Sequence, residues 1–311
     1  MAKKKTKQLE LEFQTPEEKE LEKKMADAKY KKDLFERVGK LTKTYDRDPE
    51  FKYVASWSGG KDSTFMVDQL LRNGDPLDLI VFSNTGYEFQ EMYDYIDRVK
   101  EYWEIRYDVE VVLLNRGEAG KAVWKRWAEG EFTKGQHEGK PRGFPFTIGM
   151  SWCTRELKIK PFDNFIKELY GKDQKIKRYV GIAYDEPRRI TDEENLVYPI
   201  FDWKIIEREV EDILIEREFH NPLYNHFGRT GCYLCPKQNL KSLFKLWKFY
   251  PAEWQEMKDL EQKYISMGAA IVEIRGFSVT ELEEKFKEYQ KLGTEPENNR
   301  EEDIETGCLC K

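Results

Sequence analysis

The period of the apolar positions changes twice along the chain. Up to residue 48 Lys and Glu dominate. From Thr15, followed by Pro16, Glu17 and Glu18, the apolar residues Leu21, Met25, Leu34, Val38 and Leu41 recur at roughly helical spacing, which predicts an N-capped helical arm. From Phe51 short β-rich runs take over at 53–57, 77–82, 109–114 and 178–183, separated by helical stretches such as 63–72 and 91–103. Strands alternating with helices predict βαβ units and a mainly parallel sheet. Segment 116–150 carries Gly117, Gly120, Gly130, Gly135, Gly139, Gly143 and Gly149 among basic residues and reads as a long irregular excursion. Beyond Asp202 the pattern is helical again, at 203–218, 240–249 and 252–267, and the polar stretch 294–311 reads as a flexible tail. No internal repeat is visible.

Composition narrows the classes. Hydrophobic residues make up 39% and aromatics 14% of 311 residues, enough large apolar surface to exclude a wholly disordered chain. No stretch approaches the roughly 20 apolar residues of a membrane helix, and the basic residues 1–7 have no apolar run behind them, so a cytoplasmic protein without membrane association is expected. The balance of 53 Lys+Arg against 59 Asp+Glu, a net charge of −6, excludes a globally basic nucleic-acid coat and leaves room for local basic patches.

The sharpest motif is Ser58-Gly59-Gly60-Lys61-Asp62-Ser63-Thr64, between the first expected strand and the first expected helix of the sheet. Two glycines expose backbone N–H groups, the helix adds its partly positive N-terminus, and Lys61 with the hydroxyls of Ser58, Ser63 and Thr64 supplies further donors, a combination suited to pyrophosphate. The motif is not a Walker A loop, because Asp62 stands between the lysine and the hydroxyl residue. Asp62 can instead help hold Mg²⁺ on the phosphates.

These residues resemble the S-G-G-x-D-S loop of the PP-loop ATP pyrophosphatase superfamily, whose members bind ATP and cleave it between the α and β phosphates, leaving AMP on an acceptor. The resemblance narrows to the phosphoadenosine phosphosulfate (PAPS) reductase-like branch, near the DNA phosphorothioation sulfurtransferase and the tRNA thiolases. It is carried by Asn84-Thr85-Gly86-Tyr87-Glu88-Phe89, Cys153-Thr154-Arg155 with Leu157-Lys158-Ile159-Lys160-Pro161, the run from Gly181 through Asp185 to Arg188 and Arg189, Tyr198-Pro199-Ile200, and Gly231-Cys232-Tyr233-Leu234-Cys235-Pro236. It implies a HUP-like α/β fold, a mainly parallel twisted sheet with helices on both faces. In such a fold Thr85 and Gly86 can approach the adenosine, and Arg155, Lys158, Arg188 and Arg189 can pair with phosphate or sulfate oxygens. True PAPS and APS reductases carry a degenerate phosphate loop, whereas here the loop is intact, which favours a member that still cleaves ATP.

Five cysteines form the second constellation. Cys153 is followed 79 positions on by Cys232-x-x-Cys235. Three thiolates brought together by a fold can hold a [4Fe-4S] cluster or Zn²⁺, while free or redox-paired thiols are the plainer reading. Trp152 stands where similar reductases carry a further cysteine. A fourth ligand would therefore come from His220, His226, Cys308 or Cys310, or one iron would be left open. Cys308 and Cys310 resemble, in place only, the catalytic cysteine tail of the reductases. On the partner side, Lys237, Lys241, Lys245 and Lys248, with Lys121, Lys125, Arg126, Lys134, Lys140 and Arg142, form either a solvated face or a nucleic-acid patch.

The expected organisation is a helical arm over 1–48, a PP-loop nucleotide-binding α/β domain over 49–202, a helical region with Cys-x-x-Cys over 203–293, and a tail with Cys-x-Cys over 294–311. The expected function is an ATP pyrophosphatase that adenylates an acceptor and supports sulfur transfer, with Lys61, Asp62, Cys308 and Cys310 as catalytic candidates. Its partners would be an adenine nucleotide, a nucleic-acid acceptor and a sulfur-donor protein. The alternatives are a PAPS or APS reductase with a C-terminal cysteine nucleophile, or a non-catalytic nucleotide sensor.

Overall fold

The computed structural model of the protein describes residues 16–115, 117–145 and 151–297. The chain divides into two units, Met1–Thr42 and Lys43–Lys311. The first holds helix α1 (Pro16–Gly39), as the helical spacing predicts. The division falls a few residues before the expected boundary at 48, because the segment after it is tied into the second unit. Thr44 and Tyr45 both donate backbone N–H groups to Asp75 Oδ1, at 2.6 and 2.8 Å, and Trp203 Nε1 donates to Thr44 Oγ1 at 2.8 Å.

The second unit is built on five parallel strands, β1 (Phe51–Trp57), β2 (Leu79–Ser83), β3 (Val111–Leu114), β4 (Lys175–Tyr179) and β5 (Leu196–Val197), in the order β3-β2-β1-β4-β5. The registers set Val54 beside Leu79 and Arg178, and Ile80 beside Val111. The chain winds outward from β1 through α2 (Lys61–Asn73), α3 (Gln90–Tyr107) and α4 (Glu118–Ala128), then returns to the other side of β1 after α5 (Lys160–Tyr170). This reversal makes a switch point between β1 and β4, and in open parallel sheets ligands bind in the crevice at the carboxyl ends of the strands there. The HUP-like α/β expectation is met.

Both faces of the sheet are covered. Val54, Leu79 and Val81 pack against Phe162 and Ile166 of α5. Trp57 lies 4.9 Å from Trp103 of α3, and Phe65, Met66, Val67 and Leu70 of α2 are fully buried. Beyond β5 come α6 (Pro199–Asp202), α7 (Glu207–Glu216), α8 (Leu240–Phe249), α9 (Pro251–Ser266) and α10 (Val279–Leu292). None of the described helices is long and apolar enough to cross a membrane.

Three elements differ from the expected pattern. The first third of the glycine-rich excursion is helix α4, whose Trp124 and Ala128 are buried; Gly117 sits at its N-cap with φ 67° and Gly120 abuts Gly86. Those glycines mark a cap and a close packing point, not a loop. Strand β4 starts and ends a few residues before the expected 178–183, because Gly181 is taken up by the loop that meets α2. Helix α10 is announced by a capping box, in which Ser278 Oγ accepts from Glu281 N at 3.1 Å and Glu281 Oε2 accepts from Ser278 N at 2.8 Å.

Helices α9 and α10 are joined by Glu283, which accepts from Lys258 and Lys287 Nζ at 2.8 Å each and from Trp254 Nε1 at 3.4 Å. The two lysines hold its carboxyl down to about 2. A depressed carboxyl contributes stability above its unfolded value and loses it as pH falls through the folded one. Glu283→Gln is therefore expected to lower the melting midpoint by about 1–2 °C at neutral pH. The difference from the parent should vanish in melts recorded as pH falls from about 4.5 toward 2.

Candidate functional site

Residues 58–60 link β1 to α2 and bend back over the helix start. Gly59 adopts φ 73°, and its carbonyl accepts a hydrogen bond from Asn221 Nδ2 at 2.9 Å. Ser63 Oγ accepts from Ser58 N at 3.1 Å, lies 2.9 Å from Ser58 Oγ and donates to the Gly60 carbonyl at 3.1 Å. The Lys61 N–H donates to Tyr224 Oη at 2.9 Å. From the other side of the switch point comes Gly181, where a Cβ would lie 2.7 Å from Ser63 N and 2.8 Å from the Asp62 carbonyl carbon. Only hydrogen fits there, so β4 leads its chain directly against the helix start.

A cavity of about 300 Å³ opens beside this loop. Ser58, Gly60, Lys61, Asp62 and Ser63 line it together with Ser56, Phe82, Ser83, Glu88, Lys158, Arg178, Glu186, Arg189, Glu207, Tyr224 and the segment 228–231. Cys235 lines the same cavity. A second, open depression near Glu50 and Lys175 holds none of the motif residues.

Charged groups of both signs line the cavity. Asp62 Oδ1 is buried without a hydrogen-bond partner. Burial, reinforced by Glu186 and Glu207 and opposed by Lys61 and Arg189, raises the Asp62 carboxyl to about 7. Lys61 Nζ pairs with Glu207 Oε1 at 2.8 Å and lies 3.9 Å from Glu211. Burial works against the Lys61 charge, but the hydrogen bond and charge of Glu207 outweigh it and hold its pKa above the ordinary value. Arg178 stacks 3.8 Å above the Phe162 ring, its Nε is buried without a partner, and its ion-pair partner Asp163 is 3.9 Å away. Burial lowers the Arg178 pKa, against the pull of Asp163.

Three cysteines gather behind this wall. Cys235 N donates to the Cys232 carbonyl at 3.0 Å, closing the turn of the Cys-x-x-Cys. The hydrogen bond between the two thiols divides their roles: it holds Cys235 below the ordinary thiol range with help from Lys158 and Arg229, and pushes buried Cys232 up. Burial, with Cys235 as neighbour, raises Cys153 to about 11. Burial also opposes the charge of Lys158, but Glu88 and the three cysteines outweigh it. Among the described residues no three His, Cys, Asp or Glu side chains are grouped as metal ligands.

The structure thus brings Ser58, Gly60, Lys61, Asp62, Ser63, Lys158, Arg189 and Cys235 to one cavity, and sets other expected residues elsewhere. Thr64 is buried, its Oγ1 accepting from Trp57 Nε1 at 2.9 Å and Tyr95 Oη at 3.1 Å, so its hydroxyl serves the aromatic core. Thr85 donates to Glu88 Oε1 at 2.8 Å. Gly86, with φ 85°, lets α4 approach, since a Cβ there would lie 2.4 Å from Lys121 N. Neither Thr85 nor Gly86 lines the cavity. Arg155 is tied to Glu156, and Arg188 is exposed; both lie outside the cavity lining. Cys308 and Cys310 lie outside the described residues.

Sequence reading missed Arg178, Glu186, Glu207, Tyr224, Arg229 and Thr230. One signal was available: Arg178 is a charged residue on a strand of a parallel sheet, where both faces are normally apolar.

Residues 52–238, which contain every strand but the first residue of β1 and every residue lining the cavity, match the phosphoadenosine phosphosulfate reductase domain. The chain belongs to this family. Similar curated proteins are the uncharacterized proteins MJ0066 and MJ0973 of Methanocaldococcus jannaschii, both 27% identical, over 75% and 84% of this chain. The chain spans 46% and 61% of the length of those two relatives. The uncharacterized nin region protein ORF290 of Escherichia phage lambda is 26% identical over 61% of this chain and 67% of its own length. Among solved structures, the U34-tRNA thiolase NcsA from Methanococcus maripaludis with its [4Fe-4S] cluster is similar at 14% identity and a TM-score of 0.41, covering 84% of this chain and 79% of that one. In this PAPS reductase-family chain two of the segments that line the cavity, the 58–63 turn and the Cys-x-x-Cys, come from opposite ends of the matched segment.

Proposed function

We propose that this family member binds ATP through residues 58–63, releases pyrophosphate while AMP passes to an acceptor, and then brings sulfur to the activated acceptor through Cys235. The observation that supports this reading is one cavity lined both by residues of the 58–63 loop and by Cys235. An acceptor oxygen attacks the α phosphorus, the bond to the bridging oxygen of the β phosphate breaks, and charge grows on the leaving pyrophosphate. Lys61, the loop N–H groups and the start of α2 stabilise that charge. A persulfide on Cys235, loaded by a sulfur-donor protein, attacks the activated carbon through its outer sulfur and displaces AMP, with Lys158 and Arg229 beside it. The neighbouring Cys232 thiolate then attacks the Cys235 sulfur, which breaks the S–S bond, frees the thiolated acceptor and leaves a Cys232–Cys235 disulfide that an external thiol reduces.

Mg²⁺ fits the Asp62 end, because a buried carboxylate oxygen without a partner, beside a phosphate site, matches an ion held by one or two carboxylates plus phosphates. When bound, it would neutralise phosphate charge. A metal or iron–sulfur cluster on Cys153, Cys232 and Cys235 does not fit the described arrangement, which holds no set of three ligands.

The family match favours a second reading, reduction of PAPS at the same cavity. Offering the whole chain ATP with Mg²⁺ and pooled RNA and DNA strands as acceptors, and separately PAPS with a thiol reductant, decides between them. Pyrophosphate and AMP from ATP support the proposal, and Cys235→Ser should keep that release within about twofold while ending sulfur transfer. Sulfite from PAPS with ATP untouched overturns it in favour of the reductase. Tight ATP binding without turnover overturns it in favour of a sensor.

A further inference from the structure

Outside the nucleotide cavity, the Trp127 ring on α4 collects three cations. The Arg142 guanidinium carbon lies 4.9 Å from the ring centroid, Lys160 Nζ 5.5 Å and the Arg155 guanidinium carbon 5.9 Å. One buried carboxylate faces them: Glu156 accepts from Arg155 Nε at 2.7 Å and from Lys160 Nζ at 2.8 Å. The Arg155 and Lys160 side chains are still 53% and 49% exposed. Arg142 also donates to the Trp127 carbonyl at 3.3 Å and lies 5.4 Å from the Phe132 ring centroid. The Trp127 Nε1 donor is buried without a partner.

Like charges near one another repel even in water, and long side chains on a surface normally splay apart. Here an aromatic face and a single carboxylate hold three cations together, leaving an excess of two positive charges and an orphan N–H. Donors so gathered suit an oxyanion. The positive surface continues onto exposed Lys134 and Lys140, on a segment whose own exposed acids are Glu131 and Glu138. A lone small anion gains little at such an open site, whereas a polyanion adds contacts and releases counterions at each one. The same stretch, residues 155–160, also sends Lys158 to the wall of the nucleotide cavity.

We propose that Trp127, Arg142, Arg155 and Lys160 dock the phosphodiester backbone of a nucleic-acid strand. This names the acceptor class of the proposed function and rests on that reading for the fate of the strand, but the docking itself is measured separately.

The test uses the full chain and a fluorescent single strand of mixed sequence, about 20 nucleotides long, as RNA and as DNA, with binding followed by anisotropy across a salt series. The double variant Arg142→Gln with Lys160→Gln should bind about tenfold more weakly at about 100 mM salt. Its slope of log affinity on log salt should fall by about 1.4, at about 0.7 per single-strand phosphate contact. Arg142→Lys should keep the slope. If the double variant misfolds by circular dichroism, Lys134→Gln with Lys140→Gln, both on the exposed segment, should still lower the slope. Unchanged affinity and slope, failure of the parent to bind either strand, or displacement of the strand by millimolar inorganic phosphate overturns the proposal. ATP binding without a strand, read by calorimetry, should be equal in parent and double variant. Its absence in both, with strand binding as expected, would overturn the nucleotide reading and leave the docking site standing.

Discussion

Lys61→Ala is expected to release pyrophosphate from ATP roughly 10²- to 10³-fold more slowly than the parent, the usual cost of removing one positioned charge donor from a transition state. Its thermal midpoint should move little, because the group it loses, Glu207, is half exposed and the pair is partly solvated. In the ligand-free protein Lys61 rests on Glu207 at 2.8 Å, so it must leave that carboxylate to reach a phosphate. Glu207→Gln should consequently bind ATP more tightly and keep turnover. Initial-rate assays of pyrophosphate release, with ATP binding by calorimetry, separate the two variants. Equal rates for Lys61→Ala and the parent would remove the loop from the chemistry.

The second large effect is expected at Gly181, far from the loop in sequence. A Cβ there would press within 2.7 Å of Ser63 N, 2.8 Å of Ser63 Cα and 2.8 Å of the Asp62 carbonyl carbon. All three are backbone atoms, so no rotamer change relieves the clash. Gly181→Ala should cost about 1–3 kcal/mol of stability, as overpacking does, and weaken ATP binding about 100-fold by displacing the start of α2. Chemical denaturation and ATP titration measure the two separately. A stable variant with unchanged ATP affinity would show that β4 does not seat the loop.

These two positions show what the sequence could disclose. Residues 58–63 were legible because their chemistry is contiguous: strand, two glycines and helix start follow one another, and geometry follows from the order. The parallel sheet was legible for the same reason, since apolar periods are local. Arg178, Tyr224, Glu186 and Glu207 were not, because they reach the cavity only through the pairing of β1 with β4 and the packing of the helical region behind it. Thr64 misled in the opposite sense. A hydroxyl beside a phosphate loop reads as a ligand donor, but the buried Trp57 and Tyr95 hydrogen-bond donors claim it. Arg155 sits one helical turn from Lys158 in a family-like run, yet it pairs with Glu156 and lies over Trp127 instead. Spacing placed both on one short helix and could not say which faced the cavity.

The order of the strands also bears on how the protein comes into being on the ribosome. β1 closes against β4 across more than a hundred intervening residues, and the cavity wall runs from Ser56 to Cys235. Contacts of that separation form late and slowly. A nascent chain that has exposed residues 58–63 has therefore built none of the later residues that line the cavity, and the proposed nucleotide would stabilise it only once the cysteine turn has emerged. On the proposed ATP binding, cellular ATP would favour the finished fold over its precursors by mass action and so act as a check on completed chains.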